Sequence, residues 1–250
     1  MSAPAPRRVL LIGGTSEIGL AIVRRLAQDA PVQPVLLGRD AARLTASLAS
    51  LGGESIGEID VLDADALDTH AAIIGGAFER AGGFDVVIVA IGLLGAQEGL
   101  DADPALANDV MRVNFVGCGS LLLAAMRALR GQSRPGTVVV LSSVAAERPR
   151  AGNAIYGAAK AGFDALAQGL ADASVASGPR VLVIRPGFVR TQMTVGLPAA
   201  PFATSADAVA EATARGLAGR ADTVWVPGIL RFVFAVLRHL PRPIYRRLPL

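Results

Sequence analysis

The sequence predicts a single α/β domain in which helices cover both faces of a seven-stranded, parallel, doubly wound sheet. Three observations lead there. A chain of 250 residues is long enough to bury a full core without metals or disulfides. With 52% hydrophobic and only 18% charged residues, and a mean hydropathy of +0.48, disorder and fibrous architectures are excluded. Finally, short β-branched runs alternate with longer amphipathic stretches along the whole chain.

The first run, VLLIG at 9–13, follows Arg7-Arg8 and superficially looks like a twin-arginine export signal. It stops at Gly13-Gly14, too short for such a signal, and reads as a first strand. Further strands are expected at 35–38, 55–60, 85–92, 137–143, 180–187 and 223–228, each short, apolar and ended by turn chemistry. Helices are expected around 17–28, 40–51, 64–81, 104–130, 154–177 and 205–218, with Asp40, Asp103 and Ser205 as cap candidates. The proline-containing stretch 186–204 reads as a functional loop rather than a linker. Residues 1–228 form the domain, and 229–250 an apolar, basic C-terminal segment on the same domain or at a membrane surface.

Charge narrows the function classes. Twenty-four bases against 21 acids leave a net charge of only +3, so no nucleic-acid footprint is expected. Among those bases Lys160 is the only lysine; the arginine excess reads as compositional drift, so the exception needs explaining. Cys118, alone in an apolar stretch, reads as a packed core thiol, and no metal site is expected. The longest apolar run, 86–96, contains two glycines and falls short of a membrane span.

Chemistry enters at the first strand-to-helix junction. Gly13, Thr15, Ser16, Ile18 and Gly19 form a glycine turn opening a helix, where backbone N–H groups can approach a pyrophosphate. Glu17 stands where the middle glycine of a dinucleotide fingerprint is usual, so the match is degenerate. At the second strand tip Gly38 replaces the acid that would bind a ribose diol, and Arg39 follows, a tilt toward a 2′-phosphate. Asp60, at the third tip, is placed to reach an adenine amino group or else to cap a helix. Tyr156 and Lys160 are four apart and share one helix face, and Ser143 ends the strand before them. Tyrosine, with an ordinary pKa near ~10, is a poor acid at neutral pH, and a cation a few ångströms away eases its ionisation.

Ser143, Tyr156 and Lys160, with Asn114 in the preceding helix, resemble the Ser-Tyr-Lys-Asn tetrad of short-chain dehydrogenases/reductases. The resemblance implies a Rossmann-like fold. Tyr156 would give its proton to a developing alkoxide that Ser143 also holds. Lys160 would bind the nicotinamide ribose, and Asn114 would keep a water in the relay or serve packing alone. It further implies that the cofactor touches Gly13, Thr15, Ser16, Ile18, Gly19, Arg39, Asp60, Val61, Ala90, Gly92, Tyr156 and Lys160, together with Pro186, Gly187, Val189 and Thr191 on its nicotinamide side. One family feature is missing: the fourth strand usually ends Asn-Asn-Ala-Gly but here reads Val89-Ala90-Ile91-Gly92, so an apolar replacement for the asparagine contact is expected.

Within that family LLIGGTSEIGLAI, AIGLLG, VLVIRPGFVRT and the ending VLRHLPRPIYRRLPL resemble the actinobacterial decaprenylphosphoryl-2-keto-pentose reductases. This implies reduction of a polyprenyl-phosphate-linked 2-keto sugar to the arabinose donor of cell-wall arabinan, with NADH as hydride source. It also implies a partner, the flavin-dependent oxidase that makes the keto sugar. With the Arg39 tilt, the expected cofactor is NADH or NADPH, NADH preferred. The alternatives are a generic ketoreductase of a soluble ketone or acyl thioester, and an inactive dinucleotide sensor, against which the tetrad argues. The tail carries Arg231, Arg238, Arg242, Arg246 and Arg247 and no acid after Asp222, which suits an interfacial segment near anionic lipid. A core helix or an oligomer contact fits it equally. Gly157, Ala158, Ala161 and Gly162 would permit close helix packing in a homodimer. The chain is expected in the cytoplasm, peripheral to the membrane, with a periplasmic place open.

Overall fold

The structure, a computed structural model, describes residues 5–52, 57–176, 178–198 and 200–247. Arg7–Ile12 (β1) opens the sheet, with Leu10 and Ile12 facing one core cluster and Val9 and Leu11 the other, the alternation of a pleated strand covered on both faces. Glu17–Asp29 (α1) follows a tight turn, and Val32–Gly38 (β2) leads to Ala41–Ser50 (α2). Next come Glu58–Val61 (β3), His70–Ala81 (α3) and Val86–Val89 (β4). Pro104–Met111 (α4) runs through a π-helical turn, Arg112–Gly117, into Cys118–Gly131 (α5). Thr137–Leu141 (β5), Ala154–Ser174 (α6) and Arg180–Pro186 (β6) carry the second half. Val189–Arg190 (β7) and Thr204–Ser205 (β8) make a small separate pair, followed by Ala206–Ala218 (α7), Thr223–Val226 (β9), Leu230–Leu237 (α8) and Arg242–Tyr245 (α9).

The sheet is the seven-stranded, parallel one expected, in the order β3-β2-β1-β4-β5-β6-β9. One core cluster packs α3, α5 and α6 on one face, and the other packs α1, α2 and α7 on the opposite face. The three cap candidates all act as caps: Asp40 accepts from Arg43 N, Asp103 from Ala105 N and Ser205 from Ala208 N.

Several boundaries differ from expectation. Residues 90–92, 142–143, 187 and 227–228, read as strand ends, lie past the strands, although Ala90, Ser142 and Gly187 still donate their N–H groups to the neighbouring strand. The third strand is 58–61 rather than 55–60, of which residues 55 and 56 lie outside the described residues, as does 177 at the expected end of α6. The third helix starts at 70 after a 3-10 turn, not at 64. The continuous helix 104–131 is long and apolar enough to cross a membrane, which the count of uninterrupted apolar residues missed. Half of its apolar window is buried inside the fold, where α5 fills the core against β4 and β5.

Candidate active site

The chain leaves β1 toward β2 on one side and returns through β4 on the other, which opens a crevice at the C-terminal ends of these two neighbouring strands. Gly13 turns there at φ +94°, and a Cβ on it would stand 2.9 Å from the carbonyl carbon and oxygen of Ala90. Only glycine satisfies both demands. Gly19 allows α1 to lie on the sheet, since its Cβ would meet Leu11 Cδ1 at 2.6 Å. Ser16 caps α1 by accepting from Gly19 N at 3.2 Å. The amides of Thr15, Glu17 and Ile18 hold no hydrogen bond among the described residues, so three donors face outward where the positive end of the helix dipole lies. A pyrophosphate fits that cradle.

The acid at position 17 is reconciled with it. The Glu17 carboxylate accepts the Gln192 N–H at 2.6 Å, tying the helix start to the loop after β7. At the β2 tip Arg39 is exposed and without an ion pair among the described residues, while the neighbouring Asp40 is spent on its cap. Asp60 does not cap a helix: Oδ2 pairs with Arg80 at 2.7 Å and Oδ1 accepts the Val61 N–H, so an adenine amino group would share this carboxylate with Arg80. Val61 beside it is exposed.

The asparagine contact missing from β4 is replaced, though not by the apolar group expected. Asn114, fully buried in the π turn, accepts the Leu93 N–H at 2.8 Å and donates to the Leu93 carbonyl at 2.7 Å, clamping the segment after β4. Ala90 adds a backbone bond to Ile12. The clamp commits both polar atoms of the Asn114 side chain. Any water in a relay here is therefore better served by the main chain of the π turn, where the ordinary helical ladder is offset.

Lys160 is 3% exposed and donates to the Leu141 carbonyl at 3.0 Å, so its ammonium stands at the end of β5. A Cβ on Gly92 would lie 3.6 Å from Asn114 Oδ1 and 3.9 Å from Lys160 Nζ. The Asn114 amide and the Lys160 ammonium thus come together beside Gly92. Tyr156, one turn before Lys160, is half-buried beside Ala96, Ala107 and Val110. Ser143 starts the 3-10 turn Val144–Ala146, its Oγ accepting the Ala145 N–H at 3.1 Å. Gly157 sets this meeting, since a Cβ there would stand 3.2 Å from the Ala145 carbonyl and 3.1 Å from Pro149 Cβ. Its absence lets the first turn of α6 lie against the turn that carries Ser143. The Gly157 and Gly162 positions are each met within the chain, the latter by the Phe115 ring at 3.1 to 3.3 Å, while Ala158 on the same helix is exposed.

Sequence reasoning missed a buried ionic cluster beneath the catalytic strand end. Arg185 on β6 meets Asp164 on α6 through two nitrogens, at 2.6 and 2.9 Å, and pairs with Glu147; Ser142 Oγ and Gln168 complete the Asp164 carboxylate. Burial works against the guanidinium charge, but the hydrogen bonds and charges of Asp164 and Glu147 outweigh it and hold the Arg185 pKa above its ordinary value. The available signal was a charge in the middle of the buried run VLVIRP. Cys118, as expected, is a core thiol whose pKa burial pushes up against the opposing charge of Lys160.

Pro186 and Gly187 close the rim, with a Gly187 Cβ position only 2.7 Å from Leu230 Cδ1 of α8. Val189 is buried in β7, and Thr191 donates its N–H to Thr194 Oγ1 at the start of the following turn. The tail is fastened to the loop between β5 and α6: Arg148 donates to the carbonyls of Arg238 and Leu240 at 2.8 and 3.0 Å and lies 4.3 Å above the Tyr245 ring. No local residue pattern signals that brace, because its partners lie 90 and 92 positions apart.

Comparison with known proteins agrees with this geometry. Residues 7–201 match the short chain dehydrogenase family. An uncharacterized oxidoreductase of Streptomyces coelicolor is 42% identical over 250 residues, covering 97% of this chain and 96% of the relative. Another from Mycobacterium tuberculosis is 40% identical over 245 residues, covering 96% of each. Among solved structures, a short chain dehydrogenase from Burkholderia cenocepacia in complex with NADP superposes with a TM-score of 0.82 at 21% identity, covering 98% of each chain. The chain belongs to the short chain dehydrogenase family and is an oxidoreductase with a crevice for a nicotinamide dinucleotide.

Proposed function

We propose that this oxidoreductase reduces a ketone carried on a lipid-linked substrate, in the finer reading the 2-keto group of a decaprenylphosphoryl pentose on the way to cell-wall arabinan. The single observation that carries the ketone chemistry is the placement of Lys160 and Tyr156, one turn apart on α6, against the turn that carries Ser143, with the Lys160 ammonium held on the Leu141 carbonyl at the end of β5. When bound, the nicotinamide supplies the hydride. Tyr156 gives its phenolic proton to the carbonyl oxygen as that oxygen gains negative charge, and the Ser143 hydroxyl donates to the same oxygen. The Lys160 ammonium stabilises the charge left on Tyr156 and orients the ribose hydroxyls. Thr15, Glu17 and Ile18 offer their amides to the pyrophosphate.

Cofactor choice is a finer proposal. Asp40 is occupied by its cap and Arg39 has no ion pair among the described residues, which favours a 2′-phosphate and hence NADPH over the NADH implied by the closer resemblance. The lipid part of the reading is supported by exposed apolar side chains near the rim: Met193, Val195, Leu197 and Phe202 on the loop after β7, and Phe232 and Val236 on α8. Met193 Cε would lie 3.6 Å from a Cβ on Gly92, so this loop reaches the catalytic space. A flavin-dependent oxidase would supply the keto sugar.

The test is single-turnover oxidation of NADPH and of NADH, using a polyprenyl-linked keto sugar and the same sugar without its prenyl chain. The reading expects faster turnover of the prenyl-linked form. Equal turnover of both would favour a soluble-ketone reductase instead, and no oxidation of either would remove the substrate assignment.

A further inference from the structure

Helix α8 inverts the usual rule for a surface helix. Leu230 is buried, and Val233, Phe234 and Leu237 are part-covered, with Phe234 set against Trp225 of β9 at a centroid distance of 6.1 Å. The opposite side should then be polar. Instead Ile229, Phe232 and Val236, spaced along one stripe, are 48%, 66% and 63% exposed, and Ile244 on α9 is 53% exposed. Apolar surface of this kind left outward marks a docking face.

Charge says what covers it. Arg231, Arg242, Arg246 and Arg247 are all exposed, and the chain has no acid after Asp222. Arg150, whose charge reaches Tyr245 of α9, is exposed as well. The acid that meets the tail, Glu147, is nearly covered and already paired with Arg185 and, at 3.8 Å, with Arg238. An apolar stripe framed by cations alone is complementary to an anionic bilayer surface, where the side chains enter the acyl boundary and the guanidinium groups meet phosphates. A soluble acidic protein would satisfy the arginines but would leave the outward phenylalanine, valine and isoleucines without an apolar phase.

The face also has a fixed orientation. Arg148 holds the backbone at Arg238 and Leu240, and Leu230 lies against Gly187, so the stripe is tied to the two loops that carry Ser143 and the nicotinamide-side rim. We propose that residues 229–247 dock this chain on an anionic lipid surface, with the catalytic rim held beside the bilayer. This goes beyond the substrate reading and does not require it, since a soluble ketone could be reduced by a membrane-docked enzyme.

The experiment is co-sedimentation of the full chain with vesicles of phosphatidylcholine, with and without phosphatidylglycerol, read beside NADPH-binding fluorescence and thermal unfolding as controls for folding. Retention on phosphatidylglycerol vesicles and not on pure phosphatidylcholine is expected. Each arginine near an anionic surface contributes about fivefold in affinity, so Arg242→Glu combined with Arg246→Glu should weaken retention by at least about tenfold. Phe232→Asp combined with Val236→Asp should abolish it, both variants keeping their unfolding temperature and NADPH binding. No retention by the native chain, equal retention on neutral vesicles, or unchanged retention of either folded variant would overturn the proposal. A native dimer that Phe232→Asp and Val236→Asp convert to monomer, without vesicle binding by the native chain, would assign the face to a second copy and overturn it equally.

Discussion

The two halves of the sheet are made of different materials. In β1 to β4 the working groups are backbone: the Gly13 turn, the outward amides of Thr15, Glu17 and Ile18, and a strand tip clamped by hydrogen bonds to Leu93. The ion pairs there are half in water, such as Arg80 with Asp60 at 48% and 36% side-chain exposure. In β5 to β9 the working groups are side chains, and Arg185, Asp164 and Glu147 are only 9%, 4% and 12% exposed. A backbone site tolerates changes of residue that leave its path intact. A side-chain site does not, because each member is fixed by the shape and charge of the others.

That contrast can be broken or sharpened by substitution. The largest effect is expected at Lys160→Arg: the buried ammonium sits 3.0 Å from the Leu141 carbonyl as a compact point charge, which a planar guanidinium does not reproduce, so turnover should fall by about 10²-fold. Near-native kcat would mean that a positive charge alone suffices there. Next is Arg185→Met, which leaves Asp164 and Glu147 buried without their cation and should cost about 3–5 kcal/mol of stability in urea unfolding. Adding Asp164→Leu should recover part of the loss. In the cofactor half Glu17→Gly removes one hydrogen bond to Gln192 and should change the NADPH dissociation constant within about tenfold, measured by fluorescence titration. A larger loss would show that this half also depends on side-chain identity. Least affected is Cys118: burial keeps the thiol protonated, and no alkylation by iodoacetamide is expected until the chain unfolds, by mass spectrometry.

The same contrast explains what could be read in advance. Strands and caps were legible because they depend on local pattern: β-branched runs for β1, β4, β5 and β6, and single polar residues at 40, 103 and 205. Tyr156 and Lys160 were legible because their spacing is a helical turn. The Arg185 cluster was not, since its members lie 21 and 38 positions apart and only the order of strands brings them together. The contact of Gly157 with the Ala145 carbonyl was not legible because the two lie on different elements. The π turn at Asn114 carries no proline or glycine signal within its first residues, and its purpose is visible only in the double bond to Leu93. Lys160, the one lysine among 24 bases, stood out from composition alone, and Lys160→Arg tests the role assigned to it.

The central claim is that Tyr156 is the proton donor of a ketone reduction. The most direct measurement is single-turnover oxidation of bound NADPH by the native enzyme and by Tyr156→Phe, with cofactor affinity measured alongside. The account expects unchanged NADPH binding and a rate of ketone reduction lower by about 10²- to 10⁴-fold. An equal rate in the two proteins would contradict it.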